Sequence, residues 1–388
     1  MTQGWPARAA ALVEELRAKG ALRTEDWAEP LSTVPRHHLV PCFYEQDRNG
    51  RWERVDSSHG DRWWNAVYSN TALVTALGDA AMEPISSSSQ PSLMVRMLEA
   101  LDVRPGDRVL EIGTGTGYNA ALLAARLGDA NVYSIDVNAD LVALARERLA
   151  SIGREPTLRV VDGEEGLPEF APYDRVIATC SVPEVPWAWA DQLVPGGLAL
   201  VDVKRGSQSG NLVLLRRMAE KLEGRFLPEW AAFMPMRHEG RPTPLPAGSV
   251  DTTAAESVTE LGAQPWTKKV PWFLAQLASA QPMTFGYVLD ATGGAPSHAR
   301  LTAPDGSWCT VALDAVEGAH VVRQAGPLRL WDAVEAGYSQ WAAFDRPAWD
   351  RLGLTVRRDR QWVWVDDPAN PIVRGDVEGE RAASTVRR

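Results

Sequence analysis

The residues with the clearest chemistry in this 388-residue chain form one run, Val109-Leu110-Glu111-Ile112-Gly113-Thr114-Gly115-Thr116-Gly117-Tyr118. An apolar stretch feeds three alternate glycines, and a helix-forming segment starts at once. Glycine at such a turn lets the chain bend tightly and lets a ligand approach the backbone without Cβ interference. A plain strand-to-helix turn does not call for three of them. The dinucleotide pattern G-x-G-x-x-G would place its last glycine at 118, where Tyr118 stands, and the turn fits a ligand without a pyrophosphate. Asp136, 19 residues beyond Gly117, closes the next predicted strand, where a carboxylate accepts both hydroxyls of a ribose. Asp162-Gly163 closes the third strand in the same way. The plainer alternative for Asp136 is a helix N-cap or an exposed loop acid.

These residues need a scaffold, and the surrounding pattern predicts one. Helices are expected over Ala7 to Lys19, Pro91 to Leu101, Tyr118 to Leu127 and Ala139 to Ala150. Buried strands are expected at Arg108 to Ile112, Val132 to Asp136, Leu158 to Asp162, Asp174 to Ala178 and Leu198 to Val203. Alternation of this kind predicts an α/β fold, a parallel sheet with helices on both faces. Leu212 to Arg217 reads as an antiparallel edge strand. Past residue 264 the signals are mixed, with strands at Trp308 to Leu313 and Gln361 to Val365 and a helix over Leu330 to Phe344. The expected organisation is an N-terminal helical, substrate-contacting segment (1–90), a cofactor-binding domain (91–239), a linker or long loop (240–264), a C-terminal α+β recognition domain (265–369) and a tail (370–388).

The E-x-G-x-G-x-G run resembles motif I of class I S-adenosylmethionine-dependent methyltransferases. A narrower resemblance lies outside it. Val34-Pro35-Arg36-His37-His38-Leu39-Val40-Pro41 resembles the V-P-R-x-x-[FL]-V-P signature of protein-L-isoaspartate O-methyltransferases. Ile85-Ser86-Ser87-Ser88-Ser89-Gln90-Pro91 falls where that family carries its I-S-[QA]-P segment. Ala171 to Thr179, Ser181 to Pro186 and Leu193 to Gly197 continue the likeness, which spans about residues 7 to 220. The resemblance implies a Rossmann-like doubly wound sheet and S-adenosyl-L-methionine as cofactor, with no metal. It implies Asp136 on the ribose, Asp162 on the adenine amino group and Glu111 ordering the turn and the cofactor amino group. Gly113, Thr114, Gly115, Gly117, Tyr118, Val137, Gly163 and Thr179 would complete the cofactor site.

On the substrate side the resemblance implies that Ser89 positions a carboxylate, with Ser87 and Ser88 as helpers. Ser-Gln-Pro at a helix start is also what an N-cap looks like, and the two roles are compatible. His37, His38, Val182 and Pro183 fall near the substrate; for the two histidines an orienting or core role is favoured over proton transfer. A carboxylate is already ionised at neutral pH, so methyl transfer to it needs alignment and desolvation more than a general base. The chain departs from the family in its length, its serine run and its Arg48 to Tyr68 insertion. These features resemble variants that methylate an aspartate of ribosomally made, macrocyclic peptides (graspetides, lanthipeptides), the ester then closing to an aspartimide. Repair of isoaspartyl damage in proteins is the alternative.

Composition sets the outer limits. With 40 basic and 50 acidic residues the net charge is −10, which argues against nucleic acid as a partner. No apolar run approaches a membrane span, and three scattered cysteines (Cys42, Cys180, Cys309) suggest neither disulfides nor zinc, hence a reducing cytoplasm by default; the oligomeric state is left open, with a monomer as the default. Sixteen tryptophans are an excess, and eight follow residue 264. Core packing or a peptide-gripping surface would account for them.

Overall fold

The computed structural model describes residues 4–78, 82–238, 254–289 and 294–372. The chain begins with α1 (Trp5–Ala18), α2 (Glu25–Thr33) and the short α3 (Arg36–Leu39). Leu12, Val13 and Leu16 line the buried stripe of α1, as their spacing predicts. Strands β1 (Cys42–Gln46) and β2 (Trp52–Asp56), helix α4 (Asp61–Val67), and strands β3 (Leu73–Leu77) and β4 (Pro84–Ser88) follow. The four strands form an antiparallel sheet of order β2-β1-β3-β4. Residues 1–90 are therefore not the purely helical segment expected. The insertion at 48–68 is a hairpin arm and a helix, and the serine run is an edge strand rather than only a helix cap.

The next stretch holds α5 (Pro91–Ala100), β5 (Val109–Ile112), α6 (Tyr118–Leu127), β6 (Val132–Asp136), α7 (Ala139–Ser151) and β7 (Thr157–Val160). It continues through β8 (Tyr173–Val182), α8 (Trp187–Gln192), β9 (Leu193–Lys204), β10 (Gly210–Arg217) and β11 (Leu222–Phe226). Strand β5 is buried throughout and β8 along most of its length because helices cover both faces of the sheet. Helices α1, α2, α5, α6 and α7 pack one face, and α8 and part of the C-terminal region pack the other.

The remainder comprises β12 (Ala255–Thr259), α9 (Lys269–Ala278), β13 (Thr284–Leu289), β14 (Pro296–Thr302), β15 (Trp308–Ala312), β16 (His320–Ala325), α10 (Leu330–Ala343), β17 (Leu352–Val356) and β18 (Gln361–Val365). Strands β12 to β16 make a separate five-stranded antiparallel sheet of order β12-β16-β15-β14-β13. The last two strands do not join it. They extend the large sheet, whose order is β18-β17-β11-β10-β9-β8-β5-β6-β7, and β17 pairs antiparallel with β11 from Leu222↔Val356 to Arg225↔Gly353.

Three expectations are corrected by the strand pairings. Strand β10 is antiparallel but interior, since β11 covers it. Residues 265–369 do not close on themselves as a domain, because 352–365 belong to the large sheet. Residues 254–264 are not wholly linker, because β12 lies there and pairs with β16; residues 240–253 of that expected linker, and 373–388 of the expected tail, lie outside the described residues.

Helix α9 is the joint between the sheets. Phe273 and Leu274 enter the core of the large sheet, while Trp272 and Ala275 enter the core of the small one. A helix apolar on every side fits only where both sides are covered. Six of the eight late tryptophans, Trp266, Trp272, Trp308, Trp331, Trp349 and Trp364, are buried. Core packing accounts for these six. Among the described residues no helix is long and apolar enough to cross a membrane.

Candidate active site

The strand order reverses direction at β5, with β6 and β7 on one side and β8 and β9 on the other. Ligands in open α/β sheets bind at the carboxyl ends of the strands at such a point. A cleft of about 550 Å³ opens there, between the glycine turn, strand β4 and the segment 234–238.

Local backbone demands explain the glycines. Gly113, Gly115 and Gly117 take φ of +101°, +50° and +82°. Such values suit glycine and strain other residues. A Cβ on Gly113 would also lie 2.6 Å from Thr179 Oγ1, whose hydroxyl donates to Gly113 O at 2.8 Å and Ile112 O at 3.1 Å. Gly117 faces the other way and packs on Ala145 and Leu149 of α7, so it shapes the turn without lining the cleft. Thr114 Oγ1 shares a 2.7 Å hydrogen bond with Ser134 Oγ.

Beneath the turn lies Glu111, 1% exposed. Ser134 Oγ donates to one of its oxygens at 2.6 Å and Asn119 Nδ2 to the other at 2.7 Å. Burial raises its carboxyl to about 7, against the pull of those two donors. Asn119 Oδ1 is buried and has no hydrogen-bond donor among the described residues. At the end of β6, Asp136 accepts from Gly115 N and Asn138 N at 3.1 Å each, which fixes its carboxylate at the cleft wall with acceptor capacity left over. Val137, Tyr118 and Thr179 line the same cleft. Cys180 lines it too, and burial pushes its thiol up to about 12, which removes it as a nucleophile.

At the far end, Gly163 forms the wall and has no room for a side chain, since a Cβ would meet Met236 Sδ at 2.6 Å and Ile112 at 2.8 Å. Asp162, expected to face the ligand, is not part of the wall. His238 is, and its Nδ1 lies 2.9 Å and 3.0 Å from the two Asp162 oxygens. The segment that carries His238 is held firmly: Ser181 N donates to Met234 O at 2.9 Å, Met236 N to Ser181 O at 2.8 Å, and Phe233 N to the buried Asp202 at 2.8 Å.

The serines of β4 and the residue after it do not all face the cleft. Ser86, Ser87 and Ser89 line the cleft, whereas Ser88 is buried and accepts from Arg36 Nη2 at 3.1 Å. Ser88 is thus turned from the expected helper role, and Ser86 takes a place in the wall that the sequence did not assign. The histidines also lie elsewhere. His37 Nδ1 is 2.7 Å from Tyr68 Oη among Trp5, Trp63 and Trp64, and burial lowers its imidazole to about 4. His38 is exposed beside Ser151. Neither histidine lines the cleft, nor do Val182, which is buried, and Pro183, which is exposed. Asn119 and the stretch Met234 to His238 were missed. The first looks like any helix residue, and the second reaches the cleft only through its pairing with β8.

The groups present fit a nucleoside-bearing cofactor with a charged amino-acid end. A side-chain-free cradle lets it approach the turn, Asp136 offers acceptors to a diol, and the buried Glu111–Asn119 pair offers acceptors to a cation. Fold and site together define a class I S-adenosylmethionine-dependent methyltransferase. The protein-L-isoaspartate(D-aspartate) O-methyltransferase family matches residues 7–238. The chain belongs to that family, and S-adenosyl-L-methionine is its methyl donor. Among relatives, protein-L-isoaspartate O-methyltransferase of Ignicoccus hospitalis is 34% identical over 195 residues, 50% of this chain and 80% of that protein. The enzyme of Koribacter versatilis is 34% identical over 217 residues, 56% of this chain and 84% of that protein. A solved protein-L-isoaspartate O-methyltransferase structure superposes with a TM-score of 0.53 at 21% identity, covering 92% of this chain and 100% of its own. That fold match runs well past residue 238, so added length does not by itself set this chain apart from proteins bearing the repair enzyme's name.

Proposed function

We propose that the chain methylates the free carboxylate of an isoaspartyl residue in peptides and damaged proteins. The observation that carries the proposal is the meeting of two walls in one cleft: the hydroxyl-bearing strand of Ser86, Ser87 and Ser89 lies opposite the glycine turn. The cofactor supplies an electrophilic methyl on a sulfonium. The protein's task is then to hold one carboxylate oxygen in line and remove its water. Serine hydroxyls hold a carboxylate without the tight ion pair that would blunt its attack. Among the described residues Arg237 is the one lysine or arginine of the cleft wall, and no carboxylate pairs with it there. It offers a local attraction for an anionic substrate in a chain of net charge −10. The three cysteines of the chain are free, which suits a reducing, cytoplasmic setting.

A second reading keeps the same methyl transfer and changes the acceptor to an ordinary aspartate of a modified, macrocyclic peptide. Attack of the following backbone nitrogen on the new ester would expel methanol and leave an aspartimide, a net loss of water. The five-stranded sheet between residues 254 and 325, attached beside the cleft-bearing sheet and given no part in the chemistry, supports a recognition role of this kind. One experiment separates the readings: methyl incorporation from labelled S-adenosylmethionine into an isoaspartyl peptide, its normal-aspartyl counterpart and a macrocyclic peptide. Turnover of the first alone supports repair; turnover of the macrocycle alone, followed by the net loss of one water, supports the second.

A further inference from the structure

At the base end of the cleft the sequence leads to Asp162, yet the residue in the wall is His238. A carboxylate only accepts hydrogen bonds, so the imidazole nitrogen facing Asp162 must carry the proton. With Nδ1–H committed to Asp162 at 2.9 Å and 3.0 Å, Nε2 of the neutral ring is an acceptor on the opposite edge. Glu164 Oε2, 3.8 Å from Nδ1, stands on the Asp162 side as well. Ile112, Ile135, Val137 and Met236 give the cleft apolar wall, and Gly163 is bare of any side chain. Such a slot takes a flat heterocycle; Arg237 beside His238 only donates, so His238 is the neighbouring group that can accept from the ring's edge.

We propose that His238, set in a single tautomer by Asp162, is the specificity residue that reads the base of the cofactor. Its Nε2 accepts from the exocyclic amino group of adenine, and Asp162 acts through it as a positioning residue. An oxygen at the same place on the base, as in hypoxanthine, would face Nε2 lone pair to lone pair and be rejected. His238 belongs to the wall segment beyond β11, so base recognition is tied to the segment that Ser181 and Asp202 anchor at its other end. This inference rests on the cofactor assignment above.

The test is calorimetric titration of the full chain with S-adenosylhomocysteine and with its inosine counterpart, which needs no turnover. The wild-type chain should prefer the adenine compound by about tenfold or more, the worth of one buried hydrogen bond set against a repulsion. His238→Ala should bind the adenine compound about tenfold more weakly and the inosine compound about as before, so that the preference collapses. His238→Gln, whose amide both donates and accepts, should recover affinity for both compounds without recovering the preference. Asp162→Asn should lose preference while its side chain still touches no ligand. His238 is partly exposed, so the unliganded melting temperature should stay within about 2 °C of wild type. An undiminished preference in His238→Ala overturns the proposal alone. A wild-type chain that binds neither compound overturns the cofactor assignment and the proposal with it.

Discussion

Arg36 Nη2 donates to Ser88 Oγ at 3.1 Å, and the guanidinium making that contact is fully buried with no carboxylate beside it among the described residues. Nη1 donates to Val67 O at 3.0 Å and Ser69 O at 3.1 Å, and Nη2 also donates to Ser89 O at 3.4 Å. The charge lies over the Tyr118 ring at 5.2 Å. One side chain thus ties α3, the loop after α4, the end of β4 and the first residue of α6 together behind the cleft.

Arg36→Met should remove several of these bonds and leave the carbonyls of Val67 and Ser69 without donors. A loss of about 2–4 kcal/mol is expected, read by urea denaturation. Arg36→Lys keeps the charge but lacks the fork and should recover less than half of the loss.

Ser88→Ala and Ser89→Ala should part company. The first should lower stability by about 1 kcal/mol with the Michaelis constant for peptide little changed, since Ser88 faces Arg36. The second should keep the wild-type melting temperature and lose turnover by about tenfold or more, since Ser89 faces the cleft. Equal turnover in both variants would remove Ser89 from the substrate site.

Asp136→Ala should weaken S-adenosylhomocysteine by at least about tenfold, because the acceptor for two hydroxyls and the brace for Gly115 N go together. Asp136→Asn should fall between, since one oxygen remains. Calorimetry reads both, and an unchanged dissociation constant in Asp136→Ala would place the ribose elsewhere.

Gly113→Ala meets two obstacles at once, a φ of +101° and Thr179 Oγ1 at 2.6 Å from the new Cβ. Expected are a destabilisation of about 1–3 kcal/mol and loss of detectable cofactor binding. Adding Thr179→Ala relieves the contact but not the backbone, so the double variant should regain only part of the stability.

Glu111 sets a pH dependence whose sign follows from its burial. Its folded pKa of about 7 lies above the ordinary carboxyl value of 4.5, so the native chain holds a proton that the unfolded chain has released between those two values. The ionised form costs stability above about pH 7, and that cost is relieved as pH falls through 7 towards 4.5. A cationic amino group bound beside it demands the carboxylate, so cofactor binding should expel a proton and weaken as pH falls below about 7. Titrations in buffers of different ionisation enthalpy should show that proton release, and Glu111→Gln should abolish it.

Much of the sheet was legible because its signals are local. Strands β5 and β6 are short, mainly apolar segments with turn residues nearby, and the helix that follows each announces itself by period. The glycine turn was legible for the same reason, since its backbone demand falls on residues adjacent in sequence. What escaped depends on partners far along the chain. Nothing near Leu212 to Arg217 says that β11 will cover it, or that Val356 will pair with Leu222. Ser88 was misplaced because a run of four serines hides the alternation of a strand: identical residues carry no period. His37 was drawn towards the site by its motif, but Trp5, Trp63, Trp64 and Tyr68 assemble around it in space. His238 lies only a few residues from a segment outside any strand, and only the Ser181 pairing brings it beside Asp162.

The pairing of β17 with β11 has a consequence for how the chain is made. Ribosomes deliver the glycine turn, Asp136 and His238 well before residues 352–365, so a nascent chain can own every side chain of the cleft while β11 still presents an open edge. Until the last hairpin arrives, that edge is free to recruit any extended strand nearby. Everything between residues 254 and 343 is then less an appendage than a loop threaded out of one sheet and returned to it, tethered at both ends. A fragment cut at residue 238 would keep the family's matched region and lose the strand that seals it.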